Sequence, residues 1–164
     1  MKNIIRLVAA IIICQLAGVL GSFFTAPAID AWYKTLERPF FTPPDWLFAP
    51  VWITLYTLLG ISLYFIWIKN NETKKTEKKK KKYIKVSLWI FAIHLVTNAI
   101  WSIIFFGLRS PQWALLNIVV LWGLIVWTMA RFYKIDKKAA YILIPYILWV
   151  TLATALNFEI WRLN

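Results

Sequence analysis

A chain of 164 residues that is 61% hydrophobic and only 16% charged has too little polar surface to make a water-soluble globule. Its one cysteine and one histidine allow no intrachain disulfide and no ordinary metal-ligand cluster. The formal net charge of +12 would suit a nucleic-acid partner, but nine of the 19 basic residues lie within 69–85, between two apolar runs, where a membrane-topology signal is the simpler reading and no nucleic acid is implied.

Five charge-free runs, 7–29, 46–68, 86–108, 110–130 and 139–158, hold twenty to twenty-three residues each. A helix of about 20 apolar residues crosses a hydrocarbon core about 30 Å thick. The predicted fold class is therefore all-α integral membrane, a single domain over 1–164. It is a bundle of five transmembrane helices near 4–26, 46–68, 84–108, 111–133 and 138–161, with a structured loop between the first two.

The first run follows Lys2 and Arg6 and precedes Thr25-Ala26-Pro27-Ala28, which has the outline of a cleavable signal peptide. It is longer than the usual apolar region of about 7–15 residues, and a proline interrupts the small-residue site, so it is read as a helix. Small residues at every fourth position, Ala10, Cys14, Gly18 and Ser22, predict close approach of another helix, within the chain or across a dimer.

Beyond Pro27 the helix is expected to end soon, and Pro39, Pro43 and Pro44 push the residues before them towards extended geometry. Residues 30–37 have the pattern of a short helix lying on the membrane, with Trp32, Tyr33 and Leu36 inward. Asp45 is the expected N-cap of the second helix. A stretch so rich in proline and aromatics, 32–52, reads as the rim of a binding site.

The basic linker 69–83 is low in complexity, with Glu72 and Glu77 its only acids, which predicts a solvated, poorly ordered segment. Binding of anionic lipid headgroups is the functional alternative. The third and fourth helices meet almost without a loop at Arg109, Ser110 and Pro111; Ser110 as cap and Pro111 at the first helical position predict a tight antiparallel hairpin. Pro145 predicts a kink that opens space beside Trp149 in the fifth helix. Alternating the loops across the bilayer puts fifteen basic residues on one side and four on the other. By the positive-inside rule the N-terminus and the lysine linker are then cytoplasmic, with 32–52 and the C-terminus outside the cell membrane.

Polar groups inside a bilayer are costly, so their placement guides the functional reading. Phe91, His94, Asn98, Trp101, Ser102 and Phe105 share one face of the third helix, as do Trp52, Tyr56 and Leu59 on the second and Tyr146, Trp149, Ala153, Leu156 and Asn157 on the fifth. Two readings stay open: a pocket for a flat, largely apolar ligand, or ordinary interhelical packing in which His94, Asn98 and Asn157 bond across helices. A lone membrane histidine such as His94 serves more readily as a hydrogen-bonding group than as an axial haem ligand. With no paired carboxylates inside the spans and no Ser/His/Asp pattern, any chemistry would come from aromatic side chains or a bound group.

Several stretches, taken in order, resemble one known family over nearly the whole chain. They are Trp32-Tyr33 with Leu36 and Pro39, Thr42-Pro43-Pro44, Phe48, Val51-Trp52, Leu55-Tyr56, Asn98, Trp101-Ser102, Phe105-Phe106, Arg109, Pro145-Tyr146, Trp149, Leu156-Asn157, Ile160-Trp161 and Asn164. The family is that of the translocator proteins, also called tryptophan-rich sensory proteins or peripheral benzodiazepine receptors. The resemblance implies a homodimer of five-helix bundles in the lipid bilayer, with a pocket beneath the loop between helices one and two. It implies a receptor for tetrapyrroles such as protoporphyrin or haem, or for a similar planar hydrophobic molecule, with a sensory or regulatory role and no required cofactor or metal. Carried over position by position, the pocket is Tyr33, Pro43, Trp52, Tyr56, Asn98, Trp101, Trp149, Ala153 and Leu156, to which the residue pattern adds His94. The alternatives are light-dependent degradation of protoporphyrin, with Trp52 and Trp149 as the catalytic pair, and transport of tetrapyrroles or sterols. Paired inverted repeats of the kind carriers use are not recognisable. The chain departs from the family in having Phe41 where tryptophan is frequent and His94 where glutamine is common. Its segment 156–162 lacks the tyrosine of the animal sterol motif, and the lysine linker has no family role.

Overall fold

A backbone in hydrocarbon has no water to bond, so each apolar run satisfies its own amides as a helix. The computed structural model describes residues 2–164. It contains α1 (Lys2–Ala31), a 3-10 turn (Tyr33–Thr35), α2 (Asp45–Glu72), α3 (Lys78–Ser102) continuing into a π turn (Ile103–Gly107), α4 (Pro111–Tyr133), α5 (Lys137–Tyr141) and α6 (Ile144–Leu163), with no strand among the described residues. α5 and α6 together make the fifth of five spans that are 23 to 30 residues long. The chain is a multi-pass integral membrane protein.

α1 packs against α2 and α3, α3 against α4, and α4 against α5 and α6, while α2 closes the ring against α5. The outer surface is as apolar as the interior: Ile4, Val8, Ile12, Leu16, Leu20 and Phe23 of α1 all face outward. Burial of apolar area therefore does not by itself hold helix to helix, and close packing and cross-helix hydrogen bonds must. A Cβ on Gly60 would stand 2.5 Å from the Ile11 Cα, and one on Gly18 would stand 2.6 Å from the Tyr56 ring. The small-residue row of α1 thus serves packing inside the chain: Ala10 and Cys14 are fully buried, whereas Ser22 is exposed.

Two polar ties each join three helices. The Tyr56 hydroxyl donates to Asn98 Oδ1, and Asn98 Nδ2 donates to the Tyr146 hydroxyl at 2.7 Å, joining α2, α3 and α6. Nearer the loop end, Trp101 Nε1 donates to Asn157 Oδ1 at 3.0 Å and Asn157 Nδ2 to the Pro111 carbonyl at 2.7 Å, joining α3, α6 and α4.

Several local expectations change. The linker expected over 69–83 is not a disordered tract: α2 runs to Glu72 and α3 starts at Lys78, leaving a turn in which Glu77 N bonds the Lys74 carbonyl and Lys74 N bonds Glu77 Oε2. Lysine is a good helix former, and an adjoining span supplies the nucleus that a free lysine tract lacks. Five lysines in the first turns still oppose the helix dipole and repel one another. Pro44, not Asp45, is the N-cap of α2: Asp45 already stands in the first turn, and its carboxylate accepts from Arg38. α1 continues past Pro27 to Ala31, and Ser110 caps α4 without a side-chain bond while Pro111 takes the first helical position. The fifth span breaks instead of kinking: α5 ends at Tyr141, and Pro145 falls in the first turn of α6, where its missing N–H leaves no bond unmade.

Candidate functional site

α1, α2, the end of α3 with its π turn, and α6 enclose a cavity of about 490 Å³, closed at its loop end by Tyr33 and Asp45. Ligand sites for small molecules fall in the range of about 300–1,000 Å³. Seven of the residues expected from the sequence stand on its wall: Tyr33, Trp52, Tyr56, Trp101, Trp149, Ala153 and Leu156.

Three expected residues do not. Asn98 is buried one layer behind, fixing the hydroxyls of Tyr56 and Tyr146. His94 is fully buried with neither ring nitrogen bonded, its ring 5.1 Å from Phe91 and 5.5 Å from Tyr146. Pro43 stays in the loop, half-buried and off the wall.

The aromatic lining has a local cause. In the π turn Leu108 N reaches back to the Ile103 carbonyl at 2.9 Å, a widened geometry that recurs at functional sites. Consecutive Phe105 and Phe106 both reach the wall because of it. Trp101 stacks on Phe105 with ring centroids 5.2 Å apart, and Phe105 and Phe106 meet edge to face at 4.8 Å. Gly107 makes room for this turn against Phe24, which a Cβ would approach to 2.9 Å. On the opposite side Trp52 lies 5.7 Å from Tyr56, and Phe48 sets its edge on Trp149 at 5.8 Å.

The sequence reading missed α1 as a wall. Gln15, Gly18, Gly21, Ser22, Thr25 and Ile29 all line the cavity, and the small residues read as packing positions were the available signal. Val19 and Ile53, exposed at 48% and 59%, also line it, so the cavity opens sideways between the loop-side halves of α1 and α2. Below that mouth Gln15 Nε2 donates to the Ile53 carbonyl at 2.9 Å and to Thr57 Oγ1 at 3.0 Å, and the two helices close.

The loop over the cavity is fastened at both ends. Trp32 and Tyr33 rest on Phe105 at 5.7 and 6.2 Å, and Tyr33 on Phe106 at 5.7 Å. Arg38 NH1 donates to Asp45 Oδ1 at 2.7 Å. Asn164 clasps Glu37 twice, accepting from its N–H and donating to its carbonyl, both at 3.1 Å. Burial raises the Tyr33 phenol above its ordinary value, opposed in part by Arg38 beside it, so the hydroxyl presented under the loop is neutral at physiological pH.

Chemically this is an aromatic slot with few hydrogen-bonding groups. Trp149 lends the slot its ring, while its Nε1 is buried without a partner; Ser102 and Thr25 put hydroxyl groups on the wall. Among the described residues no three of His, Cys, Asp and Glu come together as a metal cluster would require.

The family model described as TspO/MBR matches residues 10–162. Tryptophan-rich protein TspO of Archaeoglobus fulgidus is 41% identical over 162 residues, covering 99% of both chains. The translocator protein of Homo sapiens is 35% identical over 150 residues, 92% of this chain and 85% of that one, and the tryptophan-rich sensory protein of Cereibacter sphaeroides is 32% identical over 135 residues, 82% and 78%. A match of this extent, together with five spans around an aromatic slot, places the chain in the TspO/MBR family.

Proposed function

We propose that this protein is a membrane receptor for tetrapyrroles such as protoporphyrin or haem, or similarly flat hydrophobic molecules, with a sensory or regulatory role. The observation that carries the reading is the slot itself: Trp52, Trp101 and Trp149 stand on three different helices around one cavity of about 490 Å³. Indole and phenyl faces supply contact area to a planar ring, and the few polar side chains on the wall, Thr25 and Ser102 among them, supply orientation. The names of the relatives, translocator and tryptophan-rich sensory protein, agree with a membrane sensor of this kind. In this reading the lysine-rich end faces the cytoplasm.

Titration of the purified protein with protoporphyrin, followed by quenching of tryptophan emission, tests it. Ala153→Phe, which fills the slot, and Trp149→Ala, which removes a wall, should each raise the Kd by about tenfold or more, the equivalent of roughly 1.4 kcal/mol. Titrations unchanged in both variants sink the assignment.

A second reading, photochemical degradation of the porphyrin, is favoured by one observation: the Trp52 and Trp149 indoles both face the space a porphyrin would fill. Illumination in air separates the two readings. A receptor shifts the porphyrin absorption bands, whereas an enzyme replaces them with those of a product at a rate that Trp52→Phe abolishes.

A further inference from the structure

The lysine run contributes nothing to the cavity, and its placement points to a partner of its own. On α3, Lys78, Lys82 and Lys85 lie on one face, and the same face continues through Trp89, Ile93 and Val96. All six are exposed, Trp89 at 70%. The opposite face, with Ile84, Ser87 and Phe91, is buried against α4, where Phe91 stacks on Phe132 at 5.7 Å. The stripe therefore faces outward along its whole length, its apolar part into hydrocarbon and its lysine part into the layer above.

The dimensions agree. From Lys78 to Lys85 the helix rises about 10 Å, and the headgroup layer of one leaflet is roughly 5–8 Å deep, so ammonium groups on flexible stems can reach phosphates throughout it. Trp89 lies about 6 Å further in, at the level where indoles settle between headgroup and acyl chain.

Neighbouring charges leave these lysines free. Glu72 pairs with Lys69 and Glu77 with Lys80, and Lys78, Lys82 and Lys85 belong to no ion pair among the described residues. Arg131 of α4 is committed to the other side of α3, its guanidinium 3.9 Å over the Tyr83 ring and donating to Ser87 Oγ and the Tyr83 carbonyl. The cost of crowding cations at the start of α3, set by its dipole and their mutual repulsion, is removed by an anionic surface.

We propose that the face formed by Lys78, Lys82, Lys85 and Trp89 binds the phosphate headgroup of an anionic phospholipid, in preference to zwitterionic neighbours. The inference is independent of what the cavity holds.

The test uses the full chain in bilayers of phosphatidylcholine with a minor fraction of spin-labelled phosphatidylglycerol or spin-labelled phosphatidylcholine, comparing the motionally restricted fraction of each label. The native chain should favour the anionic label, and Lys78→Gln/Lys82→Gln/Lys85→Gln should lower that preference by about fivefold or more, the weight of at least one surface lysine. Lys78→Arg/Lys82→Arg/Lys85→Arg should keep it. The control Lys74→Gln/Lys75→Gln/Lys134→Gln removes the same charge at the same end of the bundle and should leave most of it. Single glutamine variants, each giving a partial loss, keep the test available if the triple fails to fold. No preference in the native chain overturns the proposal, as does an equal loss in the control, which would reduce the effect to net charge. Displacement of the anionic label by a soluble acidic peptide that binds the same lysines more tightly overturns it in favour of a protein partner.

Discussion

Asn98 and His94 sit one helical turn apart on the same face of α3, and their surroundings assign them opposite values. Asn98 gives one oxygen and one amide to two tyrosine hydroxyls on two other helices; Asn98→Ala leaves both hydroxyls unpaired in the interior. The expected cost is about 1–3 kcal/mol, read as a lower unfolding midpoint in a denaturant titration in detergent, with porphyrin affinity changed only as far as Tyr56 moves. His94 makes no hydrogen bond through either nitrogen, so His94→Leu removes two unsatisfied atoms at similar volume. Stability should hold or rise, and ligand titrations should not change; a large loss of either would mean that the imidazole has a partner. The sequence placed both residues in the pocket because spacing reports the face of a helix and not the height along it. Residues 94, 98, 101 and 105 share a direction, but only Trp101 and Phe105 stand level with the cavity, and Tyr56 and Tyr146 fill the space below.

Among the elements, the closest approach is α1 on α2. Gly60→Ala would drive a methyl group to 2.5 Å from the Ile11 Cα, where no side-chain rotation gives relief, so the helices must separate. A loss of about 2–4 kcal/mol is expected, in the range of overpacked cores or somewhat above it. Gly123, with nothing within 4 Å of its added Cβ, is the matched control: Gly123→Ala should be neutral or stabilising by up to about 1 kcal/mol. Thermal melts of the two variants side by side check the pair. Arg109 turns the chain between the π turn and α4 at φ 51°, a left-handed conformation that costs a residue with a Cβ about 1–2 kcal/mol relative to glycine; Arg109→Gly should recover part of that in the same assay. The spans were legible because twenty or more apolar residues without charge have one structural solution in a bilayer. The helical start of the lysine run was not, since composition describes an isolated tract and takes no account of the span that extends it. The π turn was equally hidden, because an Ile-Ile-Phe-Phe-Gly stretch carries no signal for widening until Phe24 and Tyr33 are in place around it.

Over the whole molecule, the loop and the far end of α6 act together. Glu37 and Asn164 are separated by 127 positions and joined by two hydrogen bonds, a pairing that no local pattern announces. With the Arg38–Asp45 bridge it holds the loop shut over the slot. Each bond is exposed and modest in energy, about 1 kcal/mol or less, so Asn164→Ala combined with Arg38→Gln should leave the fold and the melting midpoint nearly unchanged. It should speed release of a bound porphyrin by about tenfold, measured as the dissociation rate after transfer to excess lipid vesicles. An unaltered release rate would mean that guests leave through the sideways mouth alone. Much of the slot's chemistry was legible, since its aromatics come from helical faces that periodicity reveals; the fastening was not, since it depends on where two distant ends of the chain arrive.

The Gly60–Ile11 contact and the Gln15–Thr57 bond lie between the mouth and the lysine-rich end, and they give the α1–α2 pair the mechanics of tweezers. The two rods are riveted backbone to backbone below the cavity, whereas above it α1 meets α2 at Gly18 through the Tyr56 side chain, so bending separates their tips before their bases. From residue 15 to residue 31 the upper arm of α1 measures about 24 Å, and each degree of splay at the rivet moves its tip by about 0.4 Å. About eight degrees at the tip amount to the thickness of a carbon atom, so the tightness of the joint at Gly60, Ile11, Gln15 and Thr57 bears on how wide the mouth stands.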